Sequence, residues 1–334
     1  MTIKDIARES GYSVGTVSRT LNNSPAVSET ARERIMAVVE KYHFQLNSNA
    51  KHLKQQSTEG IAIIIKGTQN MLFAAVVEQL QGLIKKESYD SLIYYIDEYD
   101  NEVEQAIRIY SERHLKGILF LGSDRQYFSE RFDQVPVPCV LVTNSAADLG
   151  FTNLSSVTTD DEEAARYAVD YLFTLGHKNI GVLGGIKEKS YATHSRYRGC
   201  VRAFAENDML FDEEKQYVAA HFSIYDGYQS MEQLLNKMPE ITAVFAMCDV
   251  MAIGAIRAIQ DRGLRVPEDI SVIGFDGIDI GKYMNPRLTT IRQQRETIAK
   301  KSVEILLNRI DESAPAVYEV ESFHLIPGES VSKH

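Results

Sequence analysis

The chain has 334 residues, of which 44% are hydrophobic and 25% charged, with a formal net charge of −10. That length is too great for one simple domain, and the composition is that of an ordinary soluble protein. No apolar run approaches the ~18 residues of a membrane span, and Met1-Thr-Ile-Lys-Asp5 has no apolar core of a secretory signal. The charge is uneven: residues 1–58 sum to +3, which leaves −13 on the remainder. A basic head on an acidic body suits phosphate contacts by the head alone. Cys139, Cys200 and Cys248 are widely spaced among apolar neighbours, a pattern of buried reduced thiols rather than of disulfides or a metal site.

The first stretch predicts two short helices. Thr2 and Asp5 stand in a capping-box relation, Ile3, Ile6 and Ala7 share a face, and Gly11 ends the helix. Ser13 caps a second helix with Val17 and Leu21 inward and Asn22-Asn23 as its stop. Val14, Gly15, Thr16, Ser18 and Arg19 then face outward, the geometry of a helix-turn-helix whose second helix lies in the major groove. A third helix capped by Ser28 carries Ala31, Ile35, Val38, Val39 and Tyr42 at helical spacing and closes a small core with Ile6, Val17 and Leu21. Gly11-Tyr-Ser-Val-Gly15 matches the G-x-S-x-G of serine hydrolases, but it lacks the buried strand which that motif needs.

The segment Asn47 to Lys54 is too short to be a stable helix alone and needs a partner to form. At this point the head resembles the LacI/GalR family of bacterial repressors, in which I-x-D-I/V-A-x-x-x-G-x-S-x-x-T-V-S-R-x-L-N precedes a Y-x-P-N-x-x-A-x-x-L hinge. The resemblance implies operator DNA as partner, contacted by Ser13, Val14, Gly15, Thr16, Ser18, Arg19, Asn22 and Ser28. It also implies that Leu53 wedges into the minor groove, supported by Asn47, Ala50 and Lys51. Leu46 stands where the family has proline, and Gly15 has no side chain to read a base.

From Gly60 the texture changes to apolar strands alternating with amphipathic helices. Strands are expected at Ile61–Ile65, Leu92–Ile96, Gly117–Leu121 and Val140–Val142, with helices from about Met71 to Glu87 and from Glu102 to about Arg113. A second set of the same kind runs from near Val157, with strands at Ile180–Leu183, Tyr217–Ala220, Ala243–Ala246 and Ser271–Phe275. Two such α/β units predict two lobes with a cleft at the carboxyl ends of their strands. No G-x-G-x-x-G or phosphate loop is present, so no nucleotide cofactor is expected.

Several phrases resemble the effector domain of the same family: Leu175-Gly-His-Lys-Asn-Ile180, Arg196-Tyr-Arg-Gly199, Asp249-Val-Met-Ala-Ile-Gly254 and Val266-Pro-Glu-Asp-Ile-Ser-Val-Ile-Gly-Phe-Asp276. The fold so implied is an all-α helix-turn-helix head plus a two-lobed α/β effector domain like the type I periplasmic sugar-binding proteins. The resemblance makes Arg196 and Asp276 polar anchors of a small-molecule effector, most simply a sugar, with Phe222 stacking on it. Cys248 and Thr143 stand where the family often has an asparagine and an acidic residue, and the first-lobe lip Gln69-Asn-Met-Leu-Phe73 presents Met71 and Leu72 as a soft wall beside Phe73. The domains expected are the head at 1–46, the hinge and linker at 47–58, a first lobe of 59–157 with 289–317, and a second of 158–288 with 318–334. The chain stops eight residues after Ile326, without a leucine-repeat tail, so a homodimer is expected. The whole reads as a cytoplasmic, ligand-responsive transcriptional regulator. A sugar receptor without DNA activity and a two-lobed enzyme are the rivals. The basic head and the lack of a signal sequence count against the first, and the lack of any nucleophile–base pair against the second.

Overall fold

In a computed structural model of the protein, the residues described are 3–21, 27–42, 60–67, 69–98, 100–312 and 314–334. The chain divides into two compact units, Met1–Thr58 and Glu59–His334. In the first, helix α1 (Ile3–Ser10) stops at Gly11, whose φ of +76° is one that a side chain would disfavour. Helix α2 (Val14–Leu21) starts after Ser13, whose hydroxyl accepts the Thr16 N–H at 3.2 Å. Helix α3 (Glu29–Lys41) follows Ser28, which takes the N-cap position without its exposed hydroxyl accepting any helix N–H. Ser28 therefore does not cap through its side chain, as the sequence suggests it should. Ile6, Ala7, Val17 and Ile35 are buried together, with Tyr12, Leu21, Val38 and Val39 packed around them. Asn22, Asn47, Ala50, Lys51 and Leu53 lie outside the described residues, as does the whole expected hinge.

The second unit holds two six-stranded sheets. The first sheet has the order β11-β5-β4-β3-β1-β2, with β1 Gly60–Lys66, β2 Asp90–Ile96, β3 Leu115–Leu121, β4 Cys139–Thr143, β5 Leu154–Thr159 and β11 Tyr318–Glu321. Every pairing in it is parallel. The second has the order β12-β10-β9-β8-β6-β7, with β6 Ile180–Gly184, β7 Tyr217–Ala219, β8 Ala243–Ala246, β9 Ser271–Asp276, β10 Thr289–Gln293 and β12 Phe323–Ile326. Only β12 runs antiparallel to its neighbour. Strands buried on both faces need helices on both sides, and the near-continuous isoleucines of β1 are buried throughout. The covering helices are α4 (Met71–Lys86), α5 (Glu102–Glu112), α6 (Arg125–Arg131), α7 (Asp161–Thr174), α8 (Tyr191–Glu206), α9 (Ile224–Lys237), α10 (Asp249–Asp261) and α11 (Arg295–Glu312).

Two strands escape the sequence reading. β5 reads Leu-Ser-Ser-Val-Thr-Thr and β10 reads Thr-Thr-Ile-Arg-Gln, and neither has the apolar run that marks a buried strand. Their hydroxyls are instead consumed internally. Thr158 donates to the Thr143 carbonyl at 2.8 Å, Ser156 accepts the Ala146 N–H at 3.0 Å, and Thr290 donates to Asp249 at 2.6 Å. A hydrogen-bonded Ser or Thr can be buried at little cost, so polarity here does not signal exposure. β10 pairs with β9, which places residues 289–293 in the second lobe rather than the first. β11 pairs with β5, which places 318–321 in the first lobe rather than the second. The chain thus crosses between lobes after β5, after β10 and between β11 and β12. Cys139, Cys200 and Cys248 are all buried and unpaired, their thiols pushed up by burial. No helix among the described residues is long and apolar enough to cross a membrane.

Truncating a large residue in a core as small as the head's removes a large share of its burial. Ile35→Ala is expected to cost on the order of 2–5 kcal/mol and to abolish hydrogen-exchange protection in α1 to α3. The thermal transition of the second unit should stay where it was. Equal loss of protection in both units would contradict independent cores.

Candidate functional sites in the head and the cleft

On the head, α2 buries Val17 and Thr20 and leaves Ser13, Val14, Gly15 and Arg19 exposed, with Thr16 and Ser18 half-buried. The helical period produces this face: the inward positions recur three to four residues apart, and the residues between them point out. The Arg19 Nε donates to the Gly15 carbonyl at 3.2 Å, and the Thr16 and Ser13 hydroxyls are 2.9 Å apart. A methyl group added at Gly15 would meet nothing closer than 3.8 Å, and its φ is not positive. Neither backbone geometry nor intramolecular packing requires a glycine there.

In the second unit a cavity of about 520 Å³ lies where the carboxyl ends of both sheets face each other. The first lobe contributes Lys66 at the end of β1, Ser123 after β3, Thr143 at the end of β4 and Phe73 from α4. The second contributes Asp276 at the end of β9, Gln293 at the end of β10, Arg196 from α8 and Phe222 after β7. Two lining residues that are not glycine have positive φ, Thr143 at 80° and Asp276 at 115°. Strained backbone of that kind costs of order 1–3 kcal/mol and concentrates at working sites. Gly122 has a φ of +73°, and any Cβ on it would lie 2.6 Å from the Phe73 ring, so glycine lets that ring close down on the β3 loop.

Arg196 is the hub of the second-lobe wall. Its Nε donates to Asp161 at 2.7 Å, its Nη1 to the Met247 carbonyl at 2.5 Å, and its Nη2 lies 3.9 Å from Asp276. The Phe275 ring covers the guanidinium, 3.8 Å from its centroid. Burial works against this cation, but Asp161 and Asp276 outweigh it and hold it above the usual arginine range. Asp276 is pushed up to about 6 by burial, opposed by Arg196 and by a 2.8 Å hydrogen bond from the Gln293 amide. Beneath it Asp249, with no exposed surface, accepts from Thr290 at 2.6 Å and from the Ile278 N–H at 2.7 Å. At the rim, contacts cross from lobe to lobe. His221 meets Glu98 at 2.9 Å, which raises the imidazole, and Arg125 lies 4.2 Å from the centroid of the Tyr191 ring.

Five of the seven ligand-binding residues suggested by the sequence, Arg196, Phe222, Asp276, Thr143 and Phe73, line this cavity together. Met71 does not. Asn70 caps α4 by accepting the Leu72 N–H, which sets Met71 outward at 41% exposure and turns Leu72 to the cavity. Cys248 does not line it either. It is wholly buried at the start of α10, one residue past the carbonyl that Arg196 grips. Lys66, Ser123, Asn144, His221 and Gln293 line the cavity without having been read from sequence. The available signal was weak: each follows or ends a strand, in Gln293's case one without an apolar run, and nothing local says which strand ends converge.

Residues 2–47 match the family described as bacterial regulatory proteins, lacI family, and residues 169–331 match the periplasmic binding protein-like domain. The chain is 36% identical to the HTH-type transcriptional regulator MalR of Clostridium butyricum over 93% of each chain. Its fold is similar to that of the lac repressor dimer bound to operator and the anti-inducer ONPF, with a TM-score of 0.74 at 24% identity over 99% of both chains. It is also similar to the transcriptional regulator CelR in complex with cellobiose, with a TM-score of 0.71 at 24% identity and the same coverage. With a helix-turn-helix head, a two-lobed body and a relative of this identity over nearly its whole length, the chain belongs to the LacI family of bacterial regulatory proteins.

Proposed function

We propose that the protein is a dimeric repressor that binds a palindromic operator through two heads and is controlled by a sugar held in the cleft. The observation that carries the reading is the convergence of Arg196, Asp276 and Phe222 on one cavity. A carboxylate and a guanidinium can each bridge two hydroxyls, while an aromatic face covers the apolar side of a sugar ring. CelR is described in complex with cellobiose, which supports a carbohydrate here. In the head, Ser13, Val14, Thr16, Ser18 and Arg19 would face the major groove and Ser28 a phosphate. Leu53, with Asn47, Ala50 and Lys51, would enter the minor groove at the operator centre, beside Asn22 contacts to the backbone. Two-fold symmetry of the protein would match two-fold symmetry of the operator.

Control follows from geometry. A sugar that touches both lobes favours one lobe arrangement over another, and only by its difference in affinity for the two. The lobe arrangement sets the spacing of the two hinges. Gly15, which nothing within the head requires, fits a close approach of the DNA backbone or base edges to α2.

Gly15→Ala should therefore stabilise the free head by about 0.5–1 kcal/mol, yet weaken operator binding in a gel shift. Tighter binding by the variant would contradict the proposed contact face. A thermal-shift screen of ribose, glucose, maltose and cellobiose should find one that raises the melting temperature, and Asp276→Ala should abolish that shift. A shift that survives the substitution would refute the site. Binding needs the ionised carboxylate to accept hydroxyls, and Asp276 titrates at about 6. Affinity should thus be constant above pH 7 and fall roughly tenfold by pH 5. Asp276→Asn should remove that dependence. A wild-type affinity that is flat from pH 5 to 8 would show that Asp276 is not the acceptor.

A further inference from the structure

The three crossings between lobes meet at one junction. In the first sheet, Thr159 at the end of β5 pairs in register with Glu321 at the end of β11. Two residues further on, in the second sheet, Phe323 at the start of β12 pairs with Gln293 at the end of β10. Backbone ladders thus join the crossing after β5 to the one between β11 and β12, and that one to the crossing after β10. A side-chain bond closes the ring, from the Thr159 hydroxyl to Gln293 Oε1 at 3.2 Å. Both side chains are 2% exposed, so bulk water does not compete for the bond. Its direction is fixed from the far side. Gln293 Nε2 donates to Asp276 at 2.8 Å, and an ionised carboxylate only accepts, so Oε1 is left facing Thr159 and the threonine must donate. A Cβ on Gly277, whose φ is +74°, would lie 2.6 Å from Arg292 Cβ, so glycine lets the loop that carries Asp276 lie against the end of β10. Arg295, the first residue of α11, also reaches Asp279 across the crossing at 2.7 Å, but Asp279 is half exposed and solvent weakens that pair.

We propose that Thr159 is a positioning residue, whose hydroxyl clasps the three crossings into one unit and ties that unit to Asp276 through Gln293. Thr159 does not line the cavity, so it reaches a bound molecule only by way of Gln293 and Asp276. A valine would fill nearly the same space and suits a strand as well, so what threonine adds at this place is the donor. With the donor present, the lobes turn about one closed junction. Without it, the Gln293 oxygen is buried short of a partner and the ring is open between Thr159 and Gln293. The clasp stands on these bonds alone, and only its link to a ligand rests on the reading of the cleft as a sugar site.

The test follows amide hydrogen exchange along the unliganded full-length protein, in the wild type, Thr159→Val and Thr159→Ser. The valine variant should exchange about three- to tenfold faster at all three crossings, 159–161, 293–295 and 321–323, the worth of one neutral hydrogen bond. The serine variant keeps the donor and should match the wild type. Gln293→Leu removes the acceptor instead and should speed the same three segments. A residue that merely packs in β5 would speed exchange near 159 alone. Wild-type protection at 293–295 and 321–323 in Thr159→Val therefore overturns the clasp, and so does a serine variant as fast as the valine one. In a thermal shift with whichever of ribose, glucose, maltose and cellobiose stabilises the wild type most, Thr159→Val should still be stabilised. Loss of that shift, as expected of Asp276→Ala, would make Thr159 part of the site and end its positioning role. If none of the four sugars stabilises the wild type, the cleft reading fails, and the exchange rates still decide the clasp.

Discussion

A buried guanidinium is the constraint around which the second unit is arranged. Removing a cation from water is expensive, and the expense is offset only where carboxylates and carbonyls surround it in good geometry. Arg196 obtains this from Asp161 at the start of α7, the Met247 carbonyl after β8 and Asp276 at the end of β9. Each partner comes from a different element, so the cation can be satisfied only when those elements are all in place. Asp276 in turn accepts from Gln293 at the end of β10, and Gln293 accepts from Thr159 at the end of β5 at 3.2 Å. Thr159 and Gln293 are the last residues before two of the three crossings between lobes. One hydrogen-bonded chain therefore runs from the cavity wall into the segments about which the lobes would move.

That chain gives a physical route from the cavity wall to the crossings between lobes. A group that hydrogen-bonds to Asp276 competes with, or reinforces, its bonds to Arg196 and Gln293, and the crossings feel the change through Thr159. The rim contacts Glu98–His221 and Arg125–Tyr191 lie across the opening and add to the balance between lobe arrangements. The first of these pairs is half exposed, so solvent screens it and it contributes little alone. Most of any preference must come from the buried network and from what occupies the cavity.

The two sides of the cavity meet the demand for neutrality differently. On the second lobe one cation faces two carboxylates, and burial lifts both carboxyls above their ordinary range. On the first lobe Lys66 and Glu102 pair one to one. Buried pairs of this kind are seldom better for stability than apolar residues of the same size.

Local pattern was enough for much of this. The head's three helices and the apolar strands β1, β3 and β4 were legible because each follows from local spacing, whereas Arg196, Asp276 and Phe222 were grouped only through the resemblance to the family. Strands β5 and β10 were not legible, since their buried hydroxyls are satisfied by partners far along the chain, such as Thr290 by Asp249. Nor was the division of the tail, because whether residues 289–293 pair with β9 or with the first sheet depends on where the chain crosses. Of the two lip residues, Leu72 faces the cavity and Met71 is turned outward by the cap at Asn70, which no local pattern distinguishes. The sequence by itself determined the elements and the chemistry that each carries. Which strand ends meet, and so which side chains share a cavity, was decided only by the tertiary fold, because convergence is a property of long-range pairing that no single segment encodes.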